Sequence, residues 1–187
     1  MRNGSLLCTI GLALASYATN LTAADSLSSE RWGVTSPANT PSASIKEMGI
    51  NGIKNAIFSI ECSPKKSILI ALSYDAIDPF ITENGKITFA RMSPLFDKGG
   101  TPVPNDEIGI SNLMFATKLA DGRYWLALDG DKERAFINAL KRYKAVNFYV
   151  FDKRTDPAKP ARTSDLLTFI LAGSSTAIST VEHDCKE

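Results

Sequence analysis

The sequence has few of the side chains from which metal centres and acid–base catalysts are built. It contains one histidine, His183, and three cysteines, none of them in a CxxC pair. A Gly-rich phosphate loop, an HExxH motif and a dinucleotide-binding fingerprint are all absent. Because structural zinc is held by several His or Cys ligands, the sequence predicts no metal site. We likewise expect no catalytic set and no cofactor, and hence no enzyme.

The chain also lacks an excess of charge of either sign. It has 21 Lys and Arg residues against 20 Asp and Glu residues, a formal net charge of +1. Proteins that bind nucleic acids or anionic membrane surfaces without specificity rely on a strongly basic surface. We therefore expect no nucleic-acid partner and no general attachment to membrane surfaces.

The longest apolar run is near the start, from Leu6 to Ala18. It follows Arg2 and precedes the small residues Thr22 to Ala24, which is the pattern of a secretory signal peptide over residues 1–24. An uncleaved anchor is the alternative, but the run is shorter than the roughly 20 residues that span a bilayer. We expect a periplasmic or secreted protein without stable membrane insertion after signal cleavage.

Two cysteines remain once Cys8 leaves with the signal peptide. Cys62 and Cys185 are far apart in the sequence, and two such cysteines in an exported protein usually pair. A reactive thiol and a metal pair are the competing interpretations, and a metal pair would need further ligands nearby. We predict a disulfide that ties the end of the chain to the start of the fold.

The composition divides the mature chain into a leader and one domain. Residues 25–44 are rich in Ser, Thr, Pro and Asn and poor in apolar side chains, which predicts a flexible leader. Trp32 is the exception, and it either docks on the domain or stays exposed. Residues 45–187 form the predicted domain, a size typical of a single domain.

Strands dominate the predicted domain. Phe58, Ile60 and Cys62 alternate with polar residues along one strand, and Asp121-Gly122 separates two apolar runs as a hairpin turn would. Apolar residues recur at helical spacing after Asp131, which we expect to cap this first helix. The same spacing after Gly173-Ser174 predicts a second helix near the end of the chain. The prediction is an α+β fold, a mainly antiparallel β-sheet or sandwich of about six to seven strands with two helices and one disulfide.

Two stretches are candidates for contact with a partner. Residues 93–111 contain prolines, a Gly pair and little periodicity, which predicts a long loop. Its possible interaction residues are Leu95, Phe96, Asp97 and Lys98. The alternative for the two apolar residues is that they point into the core. A second candidate is a basic patch, although a charged loop is usually only solvated. Its members would be Lys65, Lys66, Lys153, Arg154 and Arg162.

Three local patterns resemble catalytic or metal motifs. Ser63 and Lys66 match a Ser-x-x-Lys pattern, but the adjacent Pro64 and the flanking strands favour a turn. His183 could serve acid–base chemistry, whereas its place at the end of a helix favours a surface histidine. The acidic residues around Asp129 resemble the start of a calcium loop, but their spacing favours helix capping.

Three segments carry a resemblance to known proteins: IFSIEC at the first convincing strand, ERAFINALKRYKAVNFYVF as a helix before a strand, and the closing TFILAGSSTAISTVEHDC. Over residues 55–185 this layout resembles small exported proteobacterial proteins of the VasI type, associated with type VI secretion, and invasion-associated locus B proteins. The resemblance implies a cysteine-tied, β-rich domain with a closing helix and a non-enzymatic role. It implies no functional residue.

These features together predict an exported, non-enzymatic protein-interaction module with a partner in the cell envelope. Two forms of this role fit, a secretion-associated protein and an immunity or inhibitor protein directed at an envelope-targeting enzyme. Two alternatives stay open. One is a periplasmic carrier of a small molecule or lipid, and the other is an unrecognised cell-envelope hydrolase that uses His183 or paired carboxylates.

Overall fold

The computed structural model describes residues 28–36, 40–46, 56–73, 80–81, 87–112, 114–119, 121–151 and 163–186. The predicted signal peptide lies outside these ranges. The strands are β1 (Gly33–Thr35), β2 (Ser42–Lys46), β3 (Ile57–Cys62), β4 (Ile68–Ser73), β5 (Phe80–Ile81), β6 (Ile87–Asp97), β7 (Pro102–Val103), β8 (Met114–Lys118), β9 (Tyr124–Leu126), β10 (Ala145–Phe151) and β11 (Thr163–Ile170). The helices are α1 (Asn105–Ile108), α2 (Gly130–Arg142) and α3 (Ser174–Asp184).

The strands form one antiparallel sheet in the order β1–β2–β3–β4–β9–β8–β6–β10–β11, with β5 and β7 pairing to β6. The prediction of an α+β fold with a mainly antiparallel sheet is confirmed. The described residues form 11 strands rather than the six or seven expected. The additional ones include β1, β5 and β7, which have only two or three residues each and therefore carry no readable alternation.

The sheet folds over so that distant strands face each other. The ring of Phe58 on β3 lies 5.3 Å from that of Phe148 on β10 and 5.4 Å from that of Phe169 on β11. Phe136 of α2 joins the same cluster, 6.4 Å from Phe58. All four side chains are completely buried. The core is therefore an aromatic layer between the two halves of the sheet and α2.

The leader predicted over residues 25–44 is corrected by the structure, because β1 and most of β2 fall within it. Trp32 is 5% exposed and packs edge-on against Phe58, with ring centroids 5.6 Å apart. Its backbone N–H donates to the carbonyl of Ala172 and its indole N–H to the carbonyl of Ile170, both at 3.0 Å. Composition suggested disorder, but β1 pairs with β2, β2 pairs with β3, and the buried indole of Trp32 packs against the core.

The predicted loop over residues 93–111 is also corrected. β6 continues through Pro94 to Asp97, and the short α1 follows. Inside the strand, the carbonyl of Pro94 accepts a hydrogen bond from the side-chain amide nitrogen of the buried Asn105 at 2.8 Å. Proline signalled the end of a strand in the sequence, yet here it lies inside one opposite Phe148 of β10.

Asp129, rather than Asp131, caps α2. The chain is extended at Asp129, and its carboxylate accepts a hydrogen bond from the backbone N–H of Lys132 at 3.2 Å. Asp131 lies in the first turn, where its negative charge is favourable because the backbone N–H groups there are unpaired.

The last helix closes the fold as predicted. Gly173 adopts a φ of +80° between β11 and α3, and the side chain of Arg31 lies 3.1 Å from where a Cβ would stand. The disulfide between Cys62 at the end of β3 and Cys185 just after α3 is confirmed, with the two Cα atoms 5.3 Å apart. Within the described parts of the chain, no helix has both the length and the apolar composition needed to cross a bilayer.

Candidate functional site

The outer face of the sheet carries an exposed tryptophan. Along β9, Tyr124 and Leu126 are buried, whereas Trp125 is 39% exposed because alternate residues of a strand point to opposite faces. Trp125 pairs with Ala71 of β4 and Thr117 of β8. The indole therefore stands on the outer face, between two small neighbours that leave its ring accessible.

An open groove of about 340 Å³ lies beside this indole. We call it the tryptophan groove, and its lining includes Pro64, Lys65, Ile68, Leu69, Leu119 and Trp125. Leu69 stands on the outer face two residues before Ala71. The surface of the groove is mainly hydrocarbon, and the stem of Lys65 contributes to it.

The turn between β3 and β4 forms one wall of the groove and is internally braced. The backbone N–H of Ser63 donates to the carbonyl of Ser67 at 2.8 Å, and the two hydroxyls are 2.7 Å apart. Lys66 takes a φ of +55°, as the tight reversal requires. The predicted turn is confirmed, and because it is closed by hydrogen bonds it presents its lysines from a fixed backbone.

Ion pairs border the groove on the outer face. Arg123 contacts Glu61 and also donates from Nε to Asp121 at 2.8 Å. Burial by itself raises the pKa of Asp121, but the hydrogen bonds from the backbone N–H and guanidinium of Arg123, together with its charge, outweigh burial and lower that pKa. Asp121 is thus ionised at neutral pH and holds Arg123 in place.

A second groove, of about 340 Å³, lies on the other side of the same turn. We call it the disulfide groove, and its lining includes Lys66, Ile68, Glu133, Arg134, Glu182 and Cys185. Glu182 is paired with Lys141 of α2. Burial raises the pKa of Glu133 above its ordinary value, since a charged carboxylate loses hydration there. Ile68 lines both grooves, so they meet at the turn.

The predicted basic patch is placed only in part. Lys65 and Lys66 lie on the turn between the two grooves, where neither forms an ion pair with the described residues. Lys153, Arg154 and Arg162 lie outside the described residues. A joint patch of all five stays a prediction.

The four residues of the predicted interaction loop do not form a loop. Phe96 is completely buried on the inner face, 5.4 Å from the ring of Phe136. Leu95 and Asp97 belong to β6, and Asp97 accepts hydrogen bonds from the N–H groups of the following turn. Lys98 is exposed. The inward position of Phe96, which the sequence left open, removes it from any contact surface.

The residues considered for catalysis lie on exposed surfaces. The hydroxyl of Ser63 braces the turn described above. The side chain of His183 is 71% exposed, 3.3 Å from Asp184, on a shallow surface of α3 that also carries Ser179 and Thr180. Across the described residues, no group of three or more His, Cys, Asp or Glu side chains is placed to hold a metal ion. Asp129 is engaged with Lys132 at the start of α2.

Sequence reasoning did not single out Trp125 as a surface residue. The run Tyr124–Trp125–Leu126 is apolar at every position, so alternation could not tell which side chain points outward. The useful signal was the turn at Asp121-Gly122, which fixes the hairpin and hence which residues share a face.

No protein-family model matches the chain, and no curated protein matches it. Among solved structures, the chain is similar to the crystal structure of invasion-associated protein B from Bartonella henselae, with a TM-score of 0.49 and 12% identical residues. The match covers 84% of this chain and 96% of that one. At this identity it assigns no role to any side chain, and membership of the invasion-associated locus B or VasI type stays a prediction.

Proposed function

We propose that this protein is an exported interaction module that binds a protein partner in the cell envelope through the tryptophan groove. The observation that carries the proposal is Trp125, a large aromatic side chain that is 39% exposed beside an apolar groove on a rigid sheet. Tryptophan is enriched among the residues that dominate binding energy at protein interfaces. On its β8 side the ring neighbours the exposed Thr117, from which a partner's side chain can approach it.

The packing of the interior favours this role over that of a carrier. A carrier for a lipid or small molecule needs space between sheet and helices. The described rings of Phe58, Phe136, Phe148 and Phe169 fill that layer at centroid separations of 5.3 to 6.4 Å. In the part of the chain that the structure describes, the tryptophan groove offers open apolar surface on the outside, where a protein segment can reach it.

The disulfide supports export. Such bonds persist in oxidising compartments such as the periplasm and the extracellular space. The Cys62–Cys185 bond also holds α3 against the end of β3, beside the turn that forms the wall of the groove. In a secreted or periplasmic binding module, this bond would thus hold the docking surface in a fixed conformation without a bound cofactor.

The test is capture of the partner from intact envelopes. The tagged mature chain is crosslinked mildly in its native envelope and purified beside Trp125→Ala and Val34→Ala. Val34 is the matched control because it is also a large exposed apolar side chain, 45% exposed, but it lies on β1 away from the groove. We expect a stoichiometric protein with the wild type and Val34→Ala, and its loss with Trp125→Ala.

Two results would contradict the proposal. Capture of the same partner by all three forms would place the docking surface elsewhere. A wild-type chain that carries no protein but copurifies with a small molecule or lipid would favour the carrier.

A further inference from the structure

The charge around the turn between β3 and β4 is unbalanced. Lys65 lines the tryptophan groove and Lys66 the disulfide groove, and the described residues provide no ion-pair partner for either. Arg134 adds a third cation beside Lys66, and its contact with Asp131 is long, at 3.8 Å between two highly exposed side chains. Such a pair contributes little, so the guanidinium is available to another anion.

The carboxylates near these cations do not neutralise them. Glu182 is already bound to Lys141. Glu133 also lines the disulfide groove, but among the described residues no ion pair joins it to Lys66 or Arg134. Glu61, which stands opposite the groove residue Leu69, is engaged by Arg123. The apolar tryptophan groove thus adjoins, at Ile68, a region in which the positive charges of Lys65, Lys66 and Arg134 are not neutralised.

We propose that the occupant of this surface is an extended acidic segment of a partner protein, with one apolar side chain against Trp125 and neighbouring carboxylates over Lys65, Lys66 and Arg134. This inference rests on the proposed function and specifies the partner's chemistry. The apolar contact provides affinity in a desolvated site, and the carboxylates fix orientation and speed encounter.

Single-stranded nucleic acid also combines stacking on an aromatic ring with phosphate contacts to cations. Among the described residues the surface offers one exposed aromatic ring rather than a row of stacking platforms, which favours a peptide. In addition, the net charge of the chain is only +1. An oligodeoxythymidine therefore serves as the competing ligand in the test.

The experiment is a selection of random displayed peptides on the mature wild-type chain, with removal of peptides that also bind Trp125→Ala. We expect the enriched sequences to contain one large apolar residue flanked by Asp or Glu. A synthetic peptide of the enriched sequence is then measured by fluorescence anisotropy against the wild type, a Lys65→Glu/Lys66→Glu variant and Lys98→Glu. Lys98 is the control because it is an exposed lysine outside both grooves.

We expect the double charge reversal to weaken peptide binding by about tenfold or more, which corresponds to at least roughly 1.4 kcal/mol, while Lys98→Glu leaves it unchanged. Binding to the wild type should weaken as salt is added, because exposed charges are screened. A peptide with Lys in place of its acidic residues should bind the Lys65→Glu/Lys66→Glu variant better than it binds the wild type. That rescue would not follow from a merely structural role of the lysines.

The outcomes separate this inference from the proposed function. If Trp125→Ala abolishes peptide binding but the charge reversal does not alter it, the groove is a docking site and the acidic partner is wrong. Enriched peptides without carboxylates would overturn the inference in the same way. Oligodeoxythymidine binding that exceeds peptide binding and requires Trp125 would overturn both proposals. A selection that enriches no peptide dependent on Trp125 would also refute both.

Discussion

The two faces of the sheet differ in what their side chains contact, and β3 supplies both. On the inner face, Phe58 is completely buried among four other aromatic rings from distant parts of the chain. On the outer face of the same strand, the hydroxyl of Ser59 donates to the carboxylate of Glu61 at 2.6 Å, and Glu61 in turn binds Arg123. One strand therefore joins a dry aromatic layer to a polar layer in which Ser59 and Glu61 are largely buried but carry a charge network.

This difference separates stability from recognition. Burial of large apolar side chains is the main favourable term in folding, so substitutions on the inner face should cost the most. Exposed ion pairs and exposed apolar groups contribute little to stability, so outer-face substitutions should change binding instead. Each of the following substitutions tests one side of this division.

The largest loss is expected at the centre of the inner face. Phe58→Ala removes a ring that contacts Trp32, Phe136, Phe148 and Phe169, leaves a cavity, and should lower the free energy of unfolding by about 3–5 kcal/mol. Urea unfolding followed by tryptophan fluorescence measures it. Phe58→Leu is the control, since it keeps most of the volume and should cost clearly less. A loss below about 1 kcal/mol for Phe58→Ala would show that the inner layer is not the stabilising face.

The disulfide is the next largest contribution. Cys62 and Cys185 are separated by 123 positions, and their bond restricts the unfolded chain and holds α3 on the inner face. Replacement of both by Ala should lower the free energy of unfolding by about 2–5 kcal/mol. Wild-type protein unfolded with reductant present should match the variant, and the variant should not respond to reductant. Equal urea midpoints for oxidised wild type and variant would contradict the prediction.

The outer ion pairs should contribute a small, pH-dependent term. The pKa of Asp121 is lower in the folded chain than its ordinary value of about 3.9, so its contribution is present above that value and is lost as pH falls through the folded pKa. Asp121→Asn should cost under about 1 kcal/mol at neutral pH, because the pair is partly exposed. The difference from wild type should disappear in acid.

Unfolding in urea at several pH values measures this term. Glu30→Gln is the control, because Glu30 is an exposed carboxyl whose side chain has no described ion pair. Glu30→Gln should show the same difference between the free energies of unfolding at neutral and at acid pH as the wild type. A cost of Asp121→Asn that persisted at low pH would point to packing rather than charge.

The smallest stability effect is expected at the outer tryptophan. Trp125→Ala should change the free energy of unfolding by no more than about 0.5 kcal/mol, although it removes an exposed ring that is the largest among the described residues. Thermal and urea unfolding of wild type and variant provide the measurement, with Val34→Ala as the exposed apolar control. A loss above about 2 kcal/mol would mean that Trp125 stabilises the fold, and any loss of partner binding would then need a different explanation.

The inner face was largely predictable from sequence. Alternation in β3 and β10 and helical spacing in α2 place Phe58, Phe148 and Phe136 on buried faces, because the periods of strand and helix are fixed by backbone geometry. The pairing of Cys62 with Cys185 followed from the number of cysteines. These are properties of local pattern and count, and the structure confirms them.

The outer site was not predictable in the same way. Whether Trp125 faces the core or solvent depends on the register of β9 against β4 and β8, which a short all-apolar strand leaves open. The inward position of Phe96 and the strand continuing through Pro94 likewise depend on pairing with β10. The docking of Trp32 against Phe58 joins segments that local pattern cannot relate.

The sequence by itself determined the class of the fold, the main strands and helices, and the disulfide. It could do so because backbone periodicity and turn chemistry are set by residues close together in the sequence, and the number of cysteines can be read without knowing the structure. Only the tertiary structure decided that β1 and β2 of the predicted leader belong to the sheet, that the predicted contact loop begins inside β6, and that Trp125, Ile68 and Lys65 share one groove. Those outcomes depend on strand order and on contacts between distant residues, which only the packed chain brings together.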